Sequence, residues 1–271
     1  MESKVILKSE YYILYYQFLE LDKKSLLYGR DDQLILAFML YYKALIENKE
    51  ETVNKIKDKM SEMFLERNMS PREINFDTKT ICIKNNLNLY SDFFLKALGM
   101  FNKFRKKIGK KNRENIAKKL LKDRLQYYNF FALDVKTIVY EERDITYFPL
   151  QVLNEFHNTM SHLCCVFIST GASENNIKRA ENHLRRGTLD LYKVIIKDFF
   201  IIVSQDVTKE QNDTIEKIKN DIIKIRDLEY KTIGVDRTME KFSENNKPKK
   251  NIFQEYKKVC EKIIDFFNLA P

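Results

Sequence analysis

The chain has 271 residues, which is enough for one large domain or two smaller ones with a substantial core. Hydrophobic residues make up 44% and charged residues 32%, a composition that excludes global disorder. Glycine (6) and proline (4) are scarce, and tight turns between strands depend on such residues. We therefore predict an all-α helical bundle.

The net charge of +9 indicates an anionic partner, with nucleic acid as the first candidate. A lysine-rich codon bias in an AT-rich genome would produce part of the same excess without any function. Composition alone leaves these two explanations open.

The sequence predicts a cytoplasmic protein with reduced thiols and without a membrane span, metal or cofactor. The chain begins without an apolar segment of signal-peptide length, and its most apolar run, residues 194–203, is interrupted by Lys197 and Asp198. Glycine-rich phosphate loops are absent. The four cysteines, Cys82, Cys164, Cys165 and Cys260, show neither the paired spacing of a zinc site nor a spacing typical of disulfides.

Helical periodicity covers most of the chain. The predicted helices are 11–19, 32–46, 52–67, 90–104, 113–140, 149–167, 174–203, 208–230 and 252–269. Residues 74–84 are the exception, because they are enriched in β-branched residues that partly alternate with polar ones. This pattern allows one short extended segment near residues 74–84.

The best place for a domain boundary is residues 141–148, where aromatic helical sequence meets charged residues ahead of Pro149. We predict an N-terminal helical region, 1–145, and a C-terminal helical region, 146–271. The helix at 208–230 has an isoleucine stripe typical of a surface or coiled-coil-like helix, so we expect a homodimer or a larger complex. The stripe consists of Ile215, Ile218, Ile222 and Ile225.

The three histidines of the chain, His157, His162 and His183, all lie in one predicted helix–loop–helix segment. The first helix carries three polar residues on one face, Glu155, Asn158 and His162. The second helix carries four, Arg179, His183, Arg186 and Asp190. A short loop favours an antiparallel pair, which would bring the two polar faces together.

Such a set of side chains suits proton transfer near neutral pH, with arginine binding a phosphate. The alternative is a purely structural network, because facing polar side chains also fix the packing and register of helices. The sequence does not decide between these two interpretations.

Residues 155–162, EFHNTMSH, resemble the signature of the HEPN superfamily of helical nucleotide-binding and ribonuclease domains. That signature is an arginine, a polar residue, a few variable residues and a histidine. Asn158 and His162 match the polar and histidine positions, whereas His157 stands where the family normally has arginine. The resemblance implies metal-independent RNA cleavage, in which the 2′-hydroxyl attacks the adjacent phosphate, and a site that paired domains often build jointly.

The resemblance therefore implies an RNA-directed protein of a bacterial defence or toxin system, with ribonuclease activity. His162 would be the acid–base residue and Asn158 its orienting partner. His157 and His183 are secondary catalytic candidates, and Arg179 and Arg186 would bind phosphate in place of the missing arginine. The alternative is a non-enzymatic helical subunit that binds nucleic acid or protein within a larger complex.

Residues 103–124, here called the basic segment, are the second candidate site. They hold eleven basic residues against two acidic ones, and aromatic residues flank them at Phe101, Phe104, Tyr127 and Tyr128. Backbone phosphates attract such a surface and aromatic rings can stack on bases, with RNA as the favoured ligand. A solvated helix face without a ligand is the alternative. The eleven residues are Lys103, Arg105, Lys106, Lys107, Lys110, Lys111, Arg113, Lys118, Lys119, Lys122 and Arg124.

Overall fold

A computed structural model describes residues 9–23, 31–66, 87–126, 136–141, 144–168, 173–204, 209–230 and 252–269. Helices account for nearly all residues in these ranges, which confirms the predicted all-α fold. The helices are α1 (Ser9–Asp22), α2 (Asp32–Ile46), α3 (Glu50–Glu66), α4 (Leu87–Lys107), α5 (Gly109–Gln126), α6 (Leu150–Ile168), α7 (Ser173–Val203), α8 (Lys209–Tyr230) and α9 (Ile252–Leu269).

Local sequence signals determine where several of these helices begin and end. The side chain of Asp31 accepts a hydrogen bond of 3.0 Å from the backbone N–H of Leu34, so it caps α2 at its first turn. Helix α4 ends at Lys107 and α5 begins at Gly109. The φ of Gly109 is 72°, a left-handed conformation that glycine adopts without strain and that changes the direction of the chain between the two helices. Helices α2 and α9 begin and end at the predicted residues.

One predicted helix is wrong over part of its length. The periodicity predicts a helix at 113–140, but α5 ends at Gln126, and Lys136–Glu141 forms a strand, β1. This strand pairs with β2 (Asp144–Pro149) in an antiparallel hairpin, with Ile138 opposite Tyr147. The β-branched and aromatic residues of both segments favour a pleated conformation over a helical one. The predicted extended segment at 74–84 lies outside the described residues.

The chain forms two compact units, each assembled from two stretches of sequence. Unit 1 consists of Met1–Asp92 and Leu150–Gly187, and unit 2 of Phe93–Pro149 and Thr188–Pro271. The chain passes from unit 1 to unit 2 after Asp92, returns to unit 1 after Pro149 and enters unit 2 again after Gly187.

Unit 1 has an aromatic core built from α1, α2 and α6. The ring of Tyr15 lies 4.6 Å from that of Phe38, and the ring of Tyr42 lies 5.8 Å from that of Phe156. Buried tyrosine hydroxyls need hydrogen-bond partners. Tyr11 donates to the carbonyl oxygen of Phe38 at 3.1 Å, and the hydroxyl of Tyr42 lies 2.8 Å from that of Ser91.

Unit 2 is held together by phenylalanine contacts between distant parts of the sequence, among them Phe101 with Phe148 at 5.5 Å between ring centroids. The isoleucine stripe of α8 is largely buried within the chain, where α8 contacts α9. Within the described ranges, no helix combines the length and apolar character that crossing a membrane requires.

Candidate active site

Helices α6 and α7 bring two of the three histidines together in unit 1. Glu155 near the start of α6 contacts His183, about three turns into α7, and His162 further along α6 contacts Asn176 at the start of α7. This reversed order of contacts is that of an antiparallel pair, so the predicted arrangement of the two polar faces is present.

The ring of His183 is held by a carboxylate. Its Nδ1 atom lies 2.6 Å from Oε2 of Glu155, and the two side chains are 17% and 16% exposed. An ionised carboxylate can only accept, so Nδ1 of His183 donates this hydrogen bond. The contact fixes the orientation and the tautomer of the ring.

His162 has an amide as its partner. The Nδ1 atom of its half-buried ring lies 3.1 Å from Oδ1 of Asn176. Burial lowers the pKa of His162, the positive charges of His183 and Arg179 lower it further, and the hydrogen bond with Asn176 acts in the opposite direction. The neutral form of this imidazole is therefore favoured.

The two imidazoles stack on one another. The ring centroids of His162 and His183 are 5.3 Å apart and the ring planes differ by 16°. Two positive charges at this separation repel each other, so protonation of one ring disfavours protonation of the other. A pair in which one ring is cationic and the other is neutral offers an acid and a base side by side.

The other residues predicted for this site lie at different depths. Arg179 and Arg186 are exposed on α7, and Arg179 is close enough for its charge to act on His162. Asn158 is half-buried on α6. The hydrogen-bond partner of His162 is Asn176 rather than Asn158, the partner that the sequence predicts. The signal was present, since Asn176 lies seven residues before His183 and hence on the same helical face.

His157 lies in the core of unit 1, away from the surface. It is 4% exposed, with Nδ1 2.9 Å from the hydroxyl of Tyr15 and Nε2 3.2 Å from Oδ2 of Asp22. The ring of Phe18 meets it edge-on at 5.8 Å. Both ring nitrogens are thus engaged with neighbouring side chains, an arrangement typical of a structural histidine.

The basic segment occupies the end of α4 and much of α5, in unit 2. The 249 residues outside it hold 37 basic and 37 acidic side chains, so the whole net charge of +9 arises within the segment. In the part of the chain that the structure describes, no carboxylate lies within ion-pair distance of five exposed lysines of the segment. These are Lys103, Lys106, Lys107, Lys111 and Lys119.

Several other members of the basic segment have different surroundings. Arg113 donates a hydrogen bond of 3.2 Å to the carbonyl oxygen of Arg105, and so satisfies a carbonyl in the last turn of α4. The guanidinium of Arg105 lies 5.7 Å from the ring centroid of Phe101. Lys110 is exposed. The side chains of Lys118, Lys122 and Arg124 lie outside the described part of the chain.

The expectation that Phe101 and Phe104 stack on bases is wrong. Both rings are buried, Phe101 against Phe148 and Phe104 against Phe267, because helix packing in unit 2 uses them as core residues. The other two flanking aromatics, Tyr127 and Tyr128, lie outside the described residues.

No protein-family model, curated protein or solved structure matches this chain.

Proposed function

We propose that this protein acts on RNA as a metal-independent ribonuclease, with His162 as its principal acid–base residue. The observation that carries the proposal is the stacked pair of His162 and His183, whose rings have different hydrogen-bond partners. Cleavage of RNA by its own 2′-hydroxyl needs one group that removes a proton and one that supplies a proton. Two neighbouring imidazoles that disfavour being protonated together meet both needs, since one ring can be the acid while the other is the base.

The arginines of α7 support the choice of a phosphate-containing substrate. Arg179 and Arg186 are exposed, and Arg179 lies near enough to His162 to influence its protonation. A guanidinium binds a phosphate through two parallel hydrogen bonds, which suits it to the role of the arginine that the HEPN signature has at the position of His157.

The experiment is a ribonuclease assay in the presence of EDTA that compares the wild-type protein with His162→Ala. We expect the wild type to cleave single-stranded RNA and the variant to be slower by about 100-fold or more. Cys165→Ala is the matched control, because Cys165 is an exposed residue of the same helix, and this variant should retain full activity. Equal activity of wild type and His162→Ala, or no activity of the wild type on any RNA, contradicts the proposal.

The role in a bacterial defence or toxin system rests on the family resemblance of residues 155–162. It implies action inside the bacterial cytoplasm, where RNA is the available substrate. Induced expression in a bacterial host should arrest growth for the wild type and not for His162→Ala. Equal growth of the two strains at equal protein levels contradicts this role.

The basic segment favours a second candidate function, that of a non-enzymatic RNA-binding subunit of a larger complex. The whole net charge of +9 arises within the segment, at least six of its lysines are exposed, and such a surface needs no catalytic residue in order to bind phosphates. Salt-dependent RNA binding that is the same in wild type and His162→Ala, without cleavage by either, selects this function over the ribonuclease.

A further inference from the structure

We infer that Glu155 and Asn176 are positioning residues that make His183 the proton donor and His162 the proton acceptor, each acting through its Nε2 atom. This inference rests on the proposed ribonuclease function and assigns the division of labour within the same site. The sequence placed Glu155 on the polar face of α6 without a role in the reaction and did not indicate Asn176, and both residues act on the reacting atoms through a histidine ring.

The reactive nitrogen follows from the hydrogen bonds of the two rings. Nδ1 of His183 is engaged with Glu155, and Nδ1 of His162 with Asn176. Among the described residues, neither Nε2 atom has a hydrogen-bond partner. Nε2 is therefore the nitrogen of each ring that is left to exchange a proton with a substrate.

The two partners differ in charge, and this difference separates the roles. The carboxylate of Glu155 interacts more strongly with a cationic ring than with a neutral one, whereas the amide of Asn176 is neutral. Since the stacked rings disfavour two positive charges, the contact with the carboxylate assigns the cationic role in the reaction to His183. His162 then keeps a neutral ring with Nδ1–H toward Asn176 and a lone pair on Nε2.

The resulting reaction step balances in protons and electron pairs. Nε2 of His162 takes the proton of a ribose 2′-hydroxyl, and the 2′-oxygen forms a bond to the adjacent phosphorus. The bond between phosphorus and the 5′-oxygen breaks with its electron pair, and that oxygen takes the proton from Nε2 of His183. The products are a 2′,3′-cyclic phosphate and a 5′-hydroxyl, with His162 protonated and His183 neutral until protons exchange with water.

The first readout is independent of activity and uses ¹⁵N NMR of the imidazoles, which is simple because the chain has three histidines. In the wild type at neutral pH, we expect the His162 ring to be neutral with the proton on Nδ1. Glu155→Ala should release the His183 ring into a mixture of tautomers, and Glu155→Gln, which keeps an acceptor, should restore the Nδ1–H form. Unchanged His183 signals in Glu155→Ala overturn the inference.

The second readout is the pH–rate profile of RNA cleavage. Glu155→Ala should lower kcat by about 10- to 100-fold with little change in KM, and Glu155→Gln should regain part of this loss. Glu155→Gln should also move the alkaline limb to lower pH, because the donor loses the carboxylate that favours its charged form. Asn176→Asp should move the acidic limb to higher pH, because a carboxylate beside His162 favours protonation of the base.

Two matched controls make the same kind of change at exposed positions of unit 1. Glu62→Gln on α3 removes an exposed carboxylate, and Asn175→Asp introduces a carboxylate at the exposed position next to Asn176. Both should have wild-type pH profiles. If the wild type cleaves RNA while Glu155→Gln and Asn176→Asp keep the wild-type limbs, the inference is wrong and the ribonuclease proposal stands. If the NMR changes occur but the wild type does not cleave RNA, the ribonuclease proposal falls while the positioning of the two rings remains.

Discussion

The Nε2 atom of His157 lies 3.2 Å from Oδ2 of Asp22, and the two side chains are 5% and 13% exposed. This contact joins α6 to the end of α1, across 135 residues of sequence. The other two histidines differ from His157 in their surroundings, because His162 and His183 contact the half-buried side chains of Asn176 and Glu155 between α6 and α7. The three histidines therefore differ in what their removal should do.

His157→Ala should destabilise the protein strongly. The change deletes hydrogen bonds to Tyr15 and Asp22 and opens a cavity beside Phe18, so we expect the free energy of unfolding to fall by about 3 kcal/mol. His162→Ala, at a half-buried position, should cost about 1 kcal/mol or less. Urea denaturation monitored by circular dichroism measures both values. Equal losses for the two variants would show that His162 is as much a core residue as His157.

The stability of the wild type should decrease on acidification in a way that depends on His162. The pKa of His162 is lower in the folded protein than its ordinary value of 6.5, so the unfolded chain binds this proton more readily. The stabilising contribution of the neutral ring is present above pH 6.5 and is lost as the pH falls below that value.

Urea denaturation of wild type and His162→Gln at pH 7.5 and pH 5.0 tests this dependence. The wild type should lose more stability than the variant between these two pH values. The variant serves as the control for every other titrating group, since both proteins share them. Parallel losses in the two proteins would contradict the depressed pKa.

Tyr42 should produce the opposite dependence, at alkaline pH. Burial raises the pKa of Tyr42 from 10.0 to about 12, with the hydrogen bond to Ser91 acting in the other direction. A raised pKa in the folded state means that the contribution to stability is complete below pH 10 and is lost as the pH rises toward 12.

Tyr42→Phe should therefore be less stable than the wild type by about 1 kcal/mol at pH 8, since it lacks the hydrogen bond to Ser91. The difference in the free energy of unfolding between the two proteins should decrease from pH 10 to pH 11.5, because only the wild type must keep this phenol protonated in order to fold. Denaturation curves at pH 8, 10 and 11.5 measure this difference. A constant difference across the series would show that Tyr42 titrates as an ordinary phenol.

Neutralising two lysines at the end of α4 should weaken RNA binding and reduce its dependence on salt. For Lys106→Gln/Lys107→Gln, we expect the slope of log K against log salt concentration to decrease by up to about 2, one for each phosphate that the variant no longer neutralises. Fluorescence anisotropy with a labelled single-stranded RNA over a range of KCl concentrations provides the slope.

The matched control is Lys59→Gln/Lys217→Gln, which removes the same charge from exposed lysines outside the basic segment. This variant should bind with the wild-type slope. Equal slopes for the two double variants would mean that RNA responds to the overall charge of the protein rather than to the basic segment.

Features of the structure that depend on interactions between nearby residues could be predicted from the sequence, and those that depend on distant residues could not. Periodicity and capping act over a few residues, so the bounds of α2 follow from Asp31 and the apolar pattern behind it. The strand at Lys136–Glu141 does not follow from its own residues, because a strand is stabilised by a partner, and that partner, Asp144–Pro149, overlaps the predicted boundary at 141–148. Helical spacing likewise placed Glu155 and His162 on one face, but could not show which residue of another helix each side chain would meet.

The amino-acid sequence by itself determined the helical class, the concentration of charge in the basic segment and the grouping of the histidines along the chain, because these are properties of composition and of local spacing. Only the tertiary structure decided that His157 is a core residue, that Asn176 rather than Asn158 holds His162, and that Phe101 and Phe104 are unavailable to a ligand. Each of these depends on contacts between residues far apart in the chain, and such contacts are set by how the helices pack.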